Sequence, residues 1–91
     1  MTSQQINLEK KSRLFSLFSD PTRLQILHFL SKHSKVSVGE ISKHVGMSVA
    51  CISHHLQLLK DNAVAECQRD GNTIYYCLKK DLIIKKIIKL I

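Results

Sequence analysis

The sequence predicts a mostly α-helical domain that carries one β-hairpin, and two stretches decide it. From Ser37 to Lys60, apolar residues recur at helical spacing on both sides of a glycine, which gives two short helices and a tight turn. Directly after them, Ala63 to Arg69 and Thr73 to Leu78 are β-rich runs flanking Asp70-Gly71-Asn72. Asp-Gly between such runs is a strong hairpin signal. Two helices alone would be an ordinary αα-hairpin with a solvated face. Strands placed straight after them weaken that reading, and the order of four helices followed by a hairpin is a winged helix-turn-helix.

Residues 1–19 form the first helix, with Ile6, Leu14, Leu17 and Phe18 on one face and Glu9, Lys10, Lys11 and Arg13 over the rest. Asp20-Pro21 ends it, because the residue before proline is driven out of the helical region. The same pair opens the second helix, with Asp20 as N-cap and Pro21 in the first turn. Leu24, Leu27 and Leu30 carry its core stripe to about His33, and Ser34-Lys35 is a short link. Ser37 with Glu40 three residues on is a capping box, so a third helix starts there. Ile41 and Val45 are its buried side, and Gly46 can turn left-handed to stop it. Ser48 caps the fourth helix, in which Val49, Ile52, Leu56 and Leu59 form one buried row until Asp61-Asn62 closes it.

After the hairpin, Asp81 caps a last helix over 81–91, DLIIKKIIKLI. Ile83, Ile84, Ile87, Ile88, Leu90 and Ile91 cover one side of it and Lys85, Lys86 and Lys89 the other. A domain of 91 residues hardly has a core that absorbs six such side chains. A partner helix is the expected destination. Leu14, Leu17 and Phe18 of the first helix, with Ile83, Ile84, Ile87, Ile88 and Ile91 of the last, would form the seam of a homodimer. The competing readings are a helix folded back on its own domain and a basic amphipathic helix lying on a membrane surface, for which this one is short.

The whole chain, 1–91, reads as one domain: helix-turn-helix 37–60, wing 63–78, dimer helix 81–91. Apolar residues at 44% with one proline and three glycines argue a folded chain. Fourteen Lys and Arg against seven Asp and Glu leave a charge of +7, which suits a polyanion, most commonly nucleic acid. Three cysteines without framework spacing do not make a secreted disulfide scaffold. The first residues have no apolar signal-peptide core, and no run approaches the roughly 20 apolar residues of a membrane span. The expectation is a cytoplasmic protein without a membrane partner. No glycine-rich phosphate loop or marked nucleophile–base–carboxylate set is present, so neither an enzyme nor a cofactor is expected.

Turning about 100° per residue, the fourth helix carries Ala50, His54, Gln57 and Asp61 opposite its buried row, with Cys51 and Ser53 at the flanks. A helix buried on one side and polar on the other is what a helix-turn-helix offers to a major groove. The candidate DNA contacts are Lys43, Ser48, Val49, Ala50, Ser53, His54, Gln57 and Lys60, joined by Arg69, Gly71 and Asn72 of the wing. His54 projects outward. His55, at the border of the buried row, packs or hydrogen-bonds, and His28, His33 and His44 are surface or boundary residues.

FSDPTRLQIL, VGEISKHVGMSVACISHHLQLLKDNAV and RDGNTIYYCL, spanning about Leu14 to Leu78, resemble the arsenic-repressor-type (ArsR/SmtB) transcription regulators. The combination of DPTR, SHHLxxL and GxxxYY is specific. The resemblance implies a homodimeric winged helix that binds a palindromic operator near its own promoter and releases it on meeting an inducer. Ser48 to Lys60 would be the recognition helix and the hairpin around Gly71 the wing. Three departures matter. Where the family usually has polar residues that reach bases, this chain has Val49 and Ala50, so thymine-methyl contact replaces bidentate adenine readout there. The wing keeps Arg69 but has Asn72 and Thr73 after its turn, which weakens phosphate contact. The family's metal sites are also absent: Val36-Ser37-Val38-Gly39 has no thiol, and nothing after Asp81 is His, Glu, Cys or Asp. One oxygen ligand does not hold a tetrahedral ion, so no metal site is expected.

Cys51, Cys67 and Cys77 are the candidate thiol site. Cys51 stands where the family usually has a small packing residue. Cys67 and Cys77 face each other only across a three-residue loop, Gly71 to Thr73, because a two-residue turn puts them on opposite faces. The expected function is a sequence-specific DNA-binding transcriptional regulator, a homodimeric repressor. The alternatives are a thiol-responsive switch on the same scaffold and a winged helix that binds protein or RNA.

Overall fold

Residues 2–91 are described by a computed structural model. The chain runs α1 (Ser3–Phe18), α2 (Pro21–Lys32), β1 (Val36–Ser37), α3 (Val38–Val45), α4 (Val49–Asp61), β2 (Ala65–Asp70), β3 (Thr73–Leu78) and α5 (Leu82–Ile88). Every helix starts on a side-chain cap. Thr2 accepts from the Gln5 N–H, Asp20 from Arg23, Ser37 from Glu40, Ser48 from Cys51, and Asp81 from Ile83 and Ile84. Each cap satisfies an N–H that the first helical turn leaves without a partner. Thr2–Gln5 is a complete capping box like Ser37–Glu40, a start signal the sequence reading passed over.

Two left-handed residues end the two helices of the helix-turn-helix. Gly46, at φ +78, stops α3, and the Ser42 hydroxyl donates to the Met47 carbonyl across the turn. At the end of α4, Ala63 takes φ +58. Its N–H reaches the Lys60 carbonyl at 3.0 Å, and the Val64 N–H reaches Leu59 at 2.9 Å, the paired bonds of a Schellman cap. The strand therefore begins at Ala65, two residues after the run of β-rich residues begins.

The sheet has three antiparallel strands in the order β1-β3-β2. β1 is an addition to the sequence reading: Val36 and Ser37 pair with Tyr76 and Tyr75 before the chain enters α3. The hairpin turn has two residues, Gly71 and Asn72, with Asp70 opposite Thr73 as the last pair. Gly71 supplies the positive φ, +63.

Ile26, Leu27, Ile41, Ile52, Leu56, Leu59 and Val64 are fully buried at the centre, and no polar or charged residue is buried among the described residues. Leu17 and Phe18 of α1 and Ile84 of α5 close this core from the sides, at 6%, 7% and 3% exposure. Their own chain already covers these three side chains, which the sequence reading gave to a subunit seam. α5 is also shorter than the apolar run 81–91 suggested. Ile84 turns inward, Ile87 and Ile88 are half-buried, and Leu82, Ile83, Leu90 and Ile91 are exposed. Since neighbouring helical residues point about 100° apart, one apolar run divides between two surfaces.

The junction at Asp20-Pro21 ties three helices together. The Arg23 N–H donates to the Asp20 carboxylate at 2.9 Å, and the Arg23 Nε donates to the Leu17 carbonyl at the end of α1, also at 2.9 Å. Its Nη1 lies 3.4 Å from the His55 Nδ1 on α4. The backbone bond from Arg23, opposed in part by burial and helped by the charges of Arg23 and His55, holds the Asp20 carboxyl below its ordinary range.

Two predictions follow from these caps. A left-handed alanine costs about 1–2 kcal/mol, of which the looser unfolded chain of a glycine variant takes back part. Ala63→Gly therefore raises the unfolding free energy by about 0.5–1 kcal/mol, read as a higher urea midpoint at unchanged slope. Asp20, depressed in the folded state, stabilises fully above the unfolded carboxylate value of about 3.9 and loses that contribution as pH falls through its lower folded value. Asp20→Asn keeps an acceptor but does not titrate, so its urea midpoint falls less steeply below about pH 4 than that of the parent.

Candidate nucleic-acid interface

Ile52, Leu56 and Leu59 fix α4 against the core at 0% exposure. On the other side Val49, Ala50, Ser53, His54, Gln57 and Lys60 are all exposed, and they follow one another at helical spacing. Val49 corrects the sequence reading, which counted it in the buried row as well as among the DNA contacts: it is 52% exposed. The first turn of α4 projects past the edge of the core, so a residue in register with the buried row stands in the open. Ser48 caps this turn, and Lys43, one helix earlier, is exposed on the last turn of α3. Arg69, Gly71 and Asn72 are exposed at the tip of the hairpin. Arg69 shares its face of the sheet with Cys67 and the buried Tyr76, the face turned towards the helices.

Two polar details shape this surface. The Gln57 Nε2 donates to the Asp61 carboxylate at 2.8 Å, so one end of the amide is engaged and a negative charge stands at the end of the helix. His54 points into solvent, while His55, half-buried 3.4 Å from Arg23, belongs to the junction between helices. Sequence reasoning passed over Lys35, whose Nζ lies 4.7 Å from the centre of the Tyr75 ring. It also passed over Phe29, whose ring stacks on His44 at 4.1 Å and meets His33 at a tilt at 4.5 Å.

The structure does not bring the three thiols together. Cys67 stands opposite Tyr76 and Cys77 opposite Glu66, so the two cysteines fall on opposite faces of the hairpin. A bridge between them is excluded by this register. Cys51 lies apart on α4, and all three are free and half-buried. Burial raises the Tyr76 phenol above its ordinary pKa, with the neighbouring Cys67 adding to the shift. Among the described residues no group of three or more His, Cys, Asp or Glu is placed to hold a metal ion. None of their helices is long and apolar enough to cross a membrane.

A second surface lies between α1 and α5. Leu8, Phe15 and Ile83 are exposed at 57%, 59% and 47%, and a groove of about 430 Å³ runs between the helices past Leu14, Phe15, Ile83 and Ile87. Phe15 was absent from the sequence-based face. Its spacing of seven from Leu8 is the signal that would have found it.

The chain matches the family model for bacterial regulatory proteins of the arsR family over residues 20–62. It is 35% identical over 83 residues to an uncharacterized HTH-type transcriptional regulator of Methanocaldococcus jannaschii, covering 91% of this chain and 92% of that one. With the transcriptional repressor SdpR of Bacillus subtilis it shares 39% identity over 72 residues, 79% of each chain. Among solved structures it is similar to a homodimeric winged helix-turn-helix DNA-binding domain from Mycobacterium bovis. The TM-score is 0.86 at 26% identity, over 99% of this chain and 82% of that one.

Proposed function

Since the chain belongs to the arsR family of bacterial regulatory proteins, which control transcription by binding DNA through a winged helix-turn-helix, we propose that it is a repressor that binds a palindromic operator as a homodimer. One observation carries this reading: α4 presents an unbroken exposed face directly behind a row buried to 0%. A helix held that firmly from one side keeps its outer side chains in fixed register with base edges. Ser53, His54 and Gln57 are the base readers, and Val49 and Ala50 meet thymine methyl groups. Lys43, Ser48, Lys60, Arg69, Asn72 and the Gly71 backbone meet phosphates, and the net charge of +7 draws the duplex in.

The exposed apolar groups between α1 and α5 support the dimer. Leu8, Phe15 and Ile83 are large side chains left in water on adjacent helices, next to the half-buried Ile87. Burying them against a second copy removes that apolar surface from water, and it places two α4 helices in successive major grooves about 34–36 Å apart. Leu14, Ile83, Ile87 and Ile91 of the expected seam belong to this proposal, with Leu8 and Phe15 added, while Ile88 faces the end of α2 and of β3 on the other side of α5. Release of the operator does not run through the family's thiolate or last-helix metal sites, because the positions that would hold them carry no ligands.

Binding to a duplex from the promoter of its own gene, measured across a range of salt, tests the interface. His54→Ala and Gln57→Ala lower specific affinity by about 1–3 kcal/mol each and leave non-specific binding nearly unmoved. Arg69→Ala weakens all duplexes alike and flattens the salt slope by about one unit. Equal behaviour of the two classes overturns the assignment of contacts. For the seam, Phe15→Glu gives a monomer in sedimentation equilibrium with an intact fold by circular dichroism. A dimer that survives Phe15→Glu sinks the placement of the interface.

A further inference from the structure

Away from both the reading face and the α1–α5 seam, a groove of about 480 Å³ lies between the end of α2, the end of β3 and α5. That volume is in the range of small-molecule sites. Its floor is apolar: Leu30 and Ile84, exposed at 2% and 3%, with the half-buried Leu78 and Ile88. Its rim is cationic, made by Lys79, Lys80, Lys85 and Lys89. Lys79 is paired with Glu66 at 3.0 Å. Among the described residues Lys80, Lys85 and Lys89 have no ion-pair partner. The nearby Asp81 does not neutralise them through a salt bridge, since its carboxylate caps α5 through the Ile83 and Ile84 N–H groups at 2.8 and 3.3 Å.

We propose that this groove binds a small anionic amphiphile of the fatty carboxylate class. The head sits among Lys80, Lys85 and Lys89, and the aliphatic body lies over Leu30, Leu78, Ile84 and Ile88. The chemistry selects this class from two sides. A purely ionic ligand such as inorganic phosphate leaves the apolar floor in water. A neutral apolar ligand leaves three ammonium groups gathered around it with no counter-charge. The groove also has a position from which to act. β3 runs from it to the wing, and α5 carries Ile83 towards the seam from the helix that supplies Ile84 to the groove. Resting on the function proposed above, occupancy of the groove lowers operator affinity.

Decanoate, below its micelle threshold, is the probe, with decanol and inorganic phosphate as controls on the full chain. Cys77 lines the groove and Cys51 lies on α4, so the protein carries its own reporter and its own reference. Decanoate slows iodoacetamide alkylation of Cys77 about tenfold and leaves Cys51 unchanged, read by mass spectrometry, while phosphate protects neither. The triple variant Lys80→Gln, Lys85→Gln, Lys89→Gln binds decanoate about tenfold more weakly by calorimetry and binds decanol as before. Three results overturn the proposal: calorimetric binding that leaves Cys77 reactive, decanol binding the parent as tightly as decanoate, or a Cys77 already shielded by a second subunit in the dimer. The operator titration is separate. A chain that protects Cys77 with decanoate yet binds no promoter duplex leaves the groove assigned and overturns the repressor reading. Operator affinity unmoved by saturating decanoate overturns only the coupling.

Discussion

The structure depends on burying one side of α4 completely. Ile52, Leu56 and Leu59 lose all contact with water, and at about 1.5–3 kcal/mol per side chain they are a large share of what a domain this small can gather. The other elements are placed to cover that row. Ile41 of α3, Ile26, Leu27 and Leu30 of α2, and Val64 ahead of β2 meet in one apolar cluster with it. No charged side chain enters the cluster, so shape and the caps at the helix ends fix the direction of α4. Arg23 works at the edge of this arrangement. By joining the Leu17 carbonyl to His55, it sets the end of α1 and the middle of α4 relative to α2, and Asp20 holds the start of that helix.

α1 and α5 solve a different problem, because each has apolar side chains on more than one side. Leu17 and Phe18 go inward while Leu8 and Phe15 stay in water, and Ile84 goes inward while its neighbour Ile83 does not. The separation follows from helix geometry, in which consecutive residues diverge by about 100°. It also means that folding and pairing draw on different residues. Truncating Ile84 creates a cavity in a single chain, whereas Phe15 stands mostly in water.

Most of the fold was legible because its boundaries are written in side chains with specific hydrogen-bonding roles. Asp20, Ser37, Ser48 and Asp81 are read as caps and act as caps, and Gly46 is read as a left-handed stop and is one. What periodicity does not report is how far the core extends beside each row. Val49 has the right spacing for burial but lies beyond the core's edge, and Leu17, Phe18 and Ile84 have the look of a seam but lie within it. β1 was invisible because two residues are too few to show an alternation. Ala63 gave no sign of a left-handed turn, since alanine normally avoids one. The hairpin was visible but its loop length was not. The two-residue turn, seen in the pairing of Asp70 with Thr73, sends Cys67 and Cys77 to opposite faces. The proposed DNA contacts, read from one face of α4, the end of α3 and the wing, are all exposed.

The proposed reading face is thin in hydrogen-bonding groups, and that constrains how it would discriminate between sequences. Val49 and Ala50 offer only methyl surface at the helix start, where a groove is entered first. Gln57 has its amide nitrogen engaged by Asp61, so a bidentate contact with adenine requires that bond to break and the carboxylate to return to water or turn towards a cation. Ser53 and His54 are then the proposed base readers whose polar atoms are free from the outset. A face of this kind draws its affinity from the basic surface and from the phosphates. Its base selectivity would come from a few contacts at the centre of each half-site and from thymine methyl groups at the edge, so a duplex with guanine or cytosine at the positions facing Val49 would lose apolar contact without losing a hydrogen bond.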